Sequence, residues 1–226
     1  MRIDRRFSTL VGVISATGMV LTACERKANT PLSQPSPKET QISASAPVPF
    51  GYKTQWFAVP ECRGETLAKA IGMPNVKRVS WSEGMKLIES KGGVFITPSI
   101  AGWTLAIGEV PSADEAAWTP LIENLSREFG RTYYFGTHRV VEYHAWARAE
   151  KGTIVRAFGY LGERDETFLN VGPRSPEEVQ LGIGESSGKS PDEESVLNLA
   201  GKWVIDPRTL DKQPSASGQG WFCSPN

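Results

Sequence analysis

Apolar and polar positions follow one another along this chain in three different ways. Phe7 to Val20 is a mostly apolar run behind Arg2, Arg5 and Arg6. Glu25 to Phe50 has no apolar period, and Pro31, Pro35, Pro37, Pro47 and Pro49 are scattered among Ser, Thr, Gln and Lys. From Tyr52 onward, short apolar runs of period two or 3.6 succeed each other between turn residues. Only this last regime can bury enough surface to offset chain entropy.

Within it, Thr54–Val59 reads as a strand and Gly64–Ile71 as a helix with Leu67, Ala70 and Ile71 on one face. Val76–Val79 is a short strand. Ser80-Trp81-Ser82-Glu83 has capping-box spacing ahead of a helix carrying Met85, Leu87 and Ile88. Gly93–Ile100 and Trp103–Ile107 are apolar and read as central strands about a turn at Ala101-Gly102. Thr119-Pro120 opens a helix whose stripe is Leu121, Ile122, Leu125 and Phe129, and Gly130 ends it. Arg131–Phe135, Val140–Ala149, Thr153–Leu161 and Glu166–Val171 then form a β-meander. Ser175-Pro176-Glu177-Glu178 and Ser190-Pro191-Asp192-Glu193 each announce a helix with Ser at the cap. Residues after Leu210 read as loose.

The pattern predicts an α+β fold: a mainly antiparallel sheet, ending in the β-meander, with helices on one face. Residues 1–23 form a leader, 24–50 a disordered tether, 51–211 a single globular domain and 212–226 a tail. A flexible tether of this length spans about 28 Å, and more where proline stiffens it.

The leader has the basic, apolar and small-residue regions of a secretory signal. Phe7–Val20 falls short of the roughly 18–20 apolar residues that a membrane-spanning helix needs, and Ser8, Thr9, Gly12 and Ser15 interrupt it. Leu21-Thr22-Ala23-Cys24 closes the leader and resembles the lipobox of bacterial lipoproteins. The resemblance implies diacylglycerol on the Cys24 sulfur, cleavage before Cys24 and acylation of the new amine. Two or more acyl chains give stable membrane attachment. Glu25 stands where the resemblance would place Asp for inner-membrane retention. It therefore implies an outer-membrane anchor facing the periplasm in a Gram-negative cell. The globular part, with Tyr134-Phe135, Tyr143 through Trp146 and Trp203, looks similar only to uncharacterised bacterial proteins, which supply no activity.

Charge changes the picture little. The chain has 25 basic and 25 acidic residues, and loss of residues 1–23 leaves 22 against 24, a formal charge of −2. That balance gives no basic excess for nucleic acid. Cys62 and Cys223 are the remaining cysteines, and an oxidising compartment allows a disulfide that would staple the tail to the domain. Free thiols are the alternative.

The candidate chemistry lies around the two histidines. If residues 138–149 are one strand, period two puts His138, Glu142 and His144 on one face, continued by Trp146 and Arg148. A three-residue Glu150-Lys151-Gly152 hairpin pairs Ala149 with Thr153, Ala145 with Ala157 and His144 with Phe158. The face then gains Arg156, Phe158 and Tyr160. A two-residue Lys-Gly turn would shift the pairing by one and scatter the set. This aromatic, mixed-charge face (Glu142, His144, Trp146, Arg148, Arg156, Phe158, Tyr160) is the expected binding surface. His138, Glu142 and His144 could alternatively hold Zn²⁺ with water in an open position, as in a metal-dependent hydrolase. Arg139 and Arg148 oppose a cation there.

Other motifs fall short. Gly184-Glu185-Ser186-Ser187-Gly188 lacks the preceding strand of a nucleophile elbow. Gly188-Lys189-Ser190 lacks the first glycine of a phosphate loop, where Ile183 stands. Glu163, Asp165 and Glu166 sit in a polar turn. No cofactor is implied and no catalytic residue stands out. The sequence thus favours a membrane-anchored, non-catalytic envelope lipoprotein that binds a protein or envelope partner, an inhibitor or immunity role included.

Overall fold

A computed structural model describes residues 46–109, 116–184, 188, 190–213, 216 and 218–224. The leader and most of the tether, Cys24 included, lie outside the described residues. Nine strands form one antiparallel sheet: β1 (Gln55–Pro60), β2 (Val76–Val79), β3 (Val94–Ile96), β4 (Trp103–Gly108), β5 (Arg131–His138), β6 (Tyr143–Glu150), β7 (Thr153–Leu161), β8 (Glu166–Val171) and β9 (Gly220–Cys223). Their order across the sheet is β2-β9-β3-β4-β1-β5-β6-β7-β8. The four strands from β5 to β8 are the expected meander. The helices are α1 (Gly64–Ala70), α2 (Trp81–Lys91), α3 (Trp118–Phe129), α4 (Pro176–Leu181) and α5 (Glu193–Trp203). None of the helices among the described residues is long and apolar enough to cross a membrane.

The antiparallel α+β architecture is the one the hydrophobic pattern predicts, but helices cover both faces rather than one. Leu67 and Ala68 of α1 and Ile122 and Leu125 of α3 pack with Phe57, Val94 and Ala147 on one side. Trp81 of α2 and Val196, Leu197 and Leu199 of α5 pack with Trp56, Phe95 and Trp146 on the other. The central strands are therefore apolar on both faces; β1 is buried at four consecutive positions.

The expected tail is part of the sheet. β9 lies between β2 and β3, pairing Cys223 with both Val76 and Val94, and Phe222 enters the core. Trp221 and Phe222 favour a strand, but four residues are too few to announce one by alternation, and two distant partners fix it. The domain also begins earlier than residue 51. Pro47 is buried, Val48 and Phe50 lean on the core, and the Phe50 N–H donates to Pro207 O (3.1 Å).

No disulfide joins Cys62 and Cys223 in this structure. The Cys62 N–H donates to Thr104 Oγ1 (3.1 Å), whereas Cys223 pairs with Val94, which pairs with Gly108. Thr104 and Gly108 are four residues apart on β4, an offset of about 14 Å at strand rise. The bridge expected from sequence is not formed in this structure.

Candidate functional site: the partly covered face of the meander

The strand expected over Val140–Ala149 does not begin at Val140. β5 runs on to His138, residues 139–142 turn, and Glu142 sits at a left-handed φ of 50°. His138 pairs with Tyr143 and Thr137 with His144. Paired residues share a face, so His138 and His144 point to opposite sides of the sheet. The proposed His138, Glu142 and His144 zinc set is thereby dismantled. Among the described residues, no three His, Cys, Asp or Glu side chains group as metal ligands.

The β6–β7 hairpin reaches the expected face by a different route. Its turn is the two-residue Lys151-Gly152, with φ of 49° and 87° and Glu150 opposite Thr153. Positive φ at both positions is the signature of a type I′ turn, which a glycine second residue accommodates. Gly130 O accepts from the Lys151 N–H (2.9 Å) and Ser126 Oγ from the Gly152 N–H (2.8 Å), so the end of α3 holds the tip. A bulge then lies between Arg148 and Ala149, and pairing resumes as Arg148 with Arg156, Trp146 with Phe158 and His144 with Tyr160. The turn shifts the register by one and the bulge by one more. Two shifts restore the parity, so His144, Trp146, Arg148, Arg156, Phe158 and Tyr160 do share one face.

That face is not an open surface, because α4 and α5 lie over it. Trp146 is wholly buried, Phe158 is 2% exposed, Arg156 3% and His144 4%. The buried middle is held by an ion pair. Arg156 Nε donates to both Glu178 carboxylate oxygens (2.9 and 3.0 Å) and Nη2 to Oε1 (2.8 Å). Trp146 Nε1 donates to the same carboxylate (2.9 Å), and so does the Ser175 N–H (2.8 Å) in the capping box of α4. Arg156 Nη1 reaches Asn170 Oδ1 and the carbonyls of Ala157, Val171 and Gly172. The Arg156 and Glu178 charges are paired with each other and with neighbouring polar groups, which describes a clamp docking α4, although Arg174 Nε beside them is buried without a hydrogen-bond partner.

At one end of the covered strip lies a polar corner. Thr137 Oγ1 and His144 Nδ1 are 3.1 Å apart, and burial pushes the His144 pKa below its ordinary value against the opposing pull of Glu193, Asp192 and Glu142. Tyr160 donates to Asp165 (2.9 Å), its hydroxyl oxygen lies 3.4 Å from Ser190 Oγ, and Arg139 pairs with Glu193 (3.1 Å). Asp192, not Ser190, caps α5, accepting from the Ser195 N–H (2.8 Å). Glu142, in the turn before β6, lies against Gly162.

No family model, curated protein or solved structure matches this chain.

At the other end, helix cover runs out and an aromatic rim remains. Tyr133, which pairs with Arg148, makes an edge contact with Trp103 (5.4 Å between ring centres) and a tilted one with Trp203 (5.8 Å). The Arg131 guanidinium sits 5.0 Å over the Trp103 ring. Trp203 Nε1 donates to Glu177 Oε2 (3.2 Å), and Arg148 pairs with Glu150 (2.9 Å). Trp103, Trp203, Arg148 and Glu150 are half-buried, and Arg131 is exposed. Burial raises the Tyr133 pKa, with Arg148 and Arg131 pulling the other way. Hydrogen bonds from its own backbone and from Ser175 hold Glu177 low.

Of the expected surface residues, only Arg148 belongs to this rim. Tyr133 could have been found from strand alternation. Trp103 and Trp203 carry no such signal, since they arrive from β4 and from the end of α5. Glu178 was missed because a capping-box glutamate ordinarily stays at its helix terminus. The Ser186 region of the Gly-x-Ser-x-Gly stretch lies outside the described residues. Glu163, Asp165 and Glu166 are exposed in and after a short turn, as expected for solvated charges.

Proposed function

We propose that this chain is a lipid-anchored protein of the cell envelope whose domain binds a protein or envelope partner without chemistry of its own. The aromatic rim is the surface it uses. The anchor rests on the lipobox-like Leu21-Thr22-Ala23-Cys24, and outer-membrane attachment facing the periplasm rests on Glu25. The observation that supports the binding reading is the contiguity of Trp103, Tyr133 and Trp203 with Arg131 and Arg148 at the uncovered end of the sheet. Trp, Tyr and Arg dominate the binding energy of protein interfaces, because they bury large areas while keeping a polar handle. The rim offers both: half-buried Trp103 and Trp203 rings fixed against the buried Tyr133, and the cations Arg131 and Arg148, the latter paired with Glu150.

A photo-crosslinking residue at Arg131 in the anchored chain, in intact cells, tests the surface. A discrete crosslinked species is expected, lost when Trp103→Ala is added and absent when the crosslinker replaces Lys86 on α2. The same product from both positions, or none from Arg131, refutes the rim. Mass spectrometry of the mature N-terminus tests the anchor separately: an acylated Cys24 is expected, and retention of Met1 overturns it.

A further inference from the structure

A second site lies at the opposite end of the sheet from the rim. A cleft of about 870 Å³ opens between the second half of α2 and the 48–55 segment leading into β1. That volume falls within the roughly 300–1,000 Å³ range of small-molecule sites. Its apolar lining is Val48, Phe50, Met85 and Ile88, each leaning on the core with part of its surface uncovered. One end is closed by bare backbone. Gly108 stands at a φ of 120°, and a Cβ there would strike Gly93 O well inside contact distance, so only glycine allows the two chain segments to meet.

The charges in this cleft do not balance. Among the described residues lining it, Glu89, in the last turn of α2, and Glu109, just past β4, both exposed, stand against one cation, Lys53. Gly92, the C-cap of α2, also lines it, so the negative end of an eleven-residue helix faces the same space. An apolar floor under two carboxylates and a helix carbonyl end suits one chemistry. The geometry points to a binding site for a small cationic amphiphile, an amine or quaternary ammonium on an aliphatic or aromatic body. The apolar body lies on Met85, Ile88 and Phe50, and the cation sits between Glu89 and Glu109. This inference is independent of the rim.

The test uses the full-length chain with Cys24→Ser, titrated with octyltrimethylammonium and with octanoate. Calorimetry and tryptophan fluorescence read it, since Trp56 contacts Phe50 edge-on at 5.3 Å. Two exposed ion pairs make the expected preference for the cation at most about tenfold. Glu89→Lys with Glu109→Lys should invert that order, and Lys53→Glu should widen it. Equal binding of the two ligands, binding of neither, or an order unmoved by charge reversal overturns the proposal. So does a gain of about tenfold for both ligands when residues 25–45 are replaced by a Gly/Ser linker of equal length. That result makes the cleft the seat of the chain's own N-terminal segment.

Discussion

Removing the Glu178 carboxylate is the sharpest perturbation the domain offers. In Glu178→Ala the Arg156 guanidinium stays 3% exposed but loses both oxygens that Nε and Nη2 address, while Nη1 keeps only neutral acceptors. Trp146 Nε1 and the Ser175 N–H lose their acceptor as well. Breaking one side of a buried pair costs about 3–5 kcal/mol, since it leaves an uncompensated charge in a poorly solvated place. Domains of this size hold about 5–15 kcal/mol in all. The expected outcome is a melting temperature lowered by roughly 6–20 °C, read by circular dichroism on the Cys24→Ser chain. Glu178→Gln keeps the shape and one acceptor and should fall between. Replacing Arg156 and Glu178 together by Met and Leu should recover much of the loss. A loss below about 1 kcal/mol in Glu178→Ala would refute the reasoning, because it would mean that water already reaches the pair and α4 is not firmly docked.

Three other outcomes are expected. Truncation before Gly220 should abolish cooperative unfolding, because β2 loses its sheet partner and Phe222 and Cys223 leave the core; a true tail would cost under about 0.5 kcal/mol. The His144 pKa is lowered in the fold by burial, so its contribution is fully present above the ordinary value of 6.5 and is lost as pH falls from there toward the lowered value. Urea midpoints at pH 7.5 and pH 5 should therefore differ more in the parent than in His144→Gln, and equal differences would contradict the assignment. Denatured without reductant, the Cys24→Ser chain should take up two alkyl groups; folded at pH 8 it should leave Cys223 unmodified, since burial pushes that thiol up to about 11. No uptake in the denatured chain would restore the Cys62–Cys223 bridge.

Elements whose signals are local were legible. β2, β7 and β8 have the expected bounds, and Ser80 and Ser175 cap their helices through Glu83 and Glu178 as their spacing indicates. The meander's face was also legible, although the turn and register proposed for it were wrong. Alternation fixes parity, and a one-residue turn shift with a one-residue bulge leaves parity unchanged. Features that depend on distant partners were not legible: the turn at 139–142, the strand at Gly220–Cys223 and the cover over Trp146. Nothing near His144 in sequence says that Asp192 and Glu193 will lie beside it.

By itself, then, the sequence determined the class of fold, most elements, and which side chains of β6 and β7 share a side, because backbone periodicity and capping chemistry act within a few residues. It also carried the lipobox-like address, on which the anchoring proposal rests. Whether that shared side meets water was a tertiary decision. α4 and α5 arrive from some 30–50 residues further along the chain, buried by the Arg156–Glu178 pair and by Val196, Leu197 and Leu199. Their lengths set where the cover stops, and so which rings form the rim. The cleft has the same origin: it forms where the 48–55 segment meets the second half of α2, some 30–40 residues further along the chain.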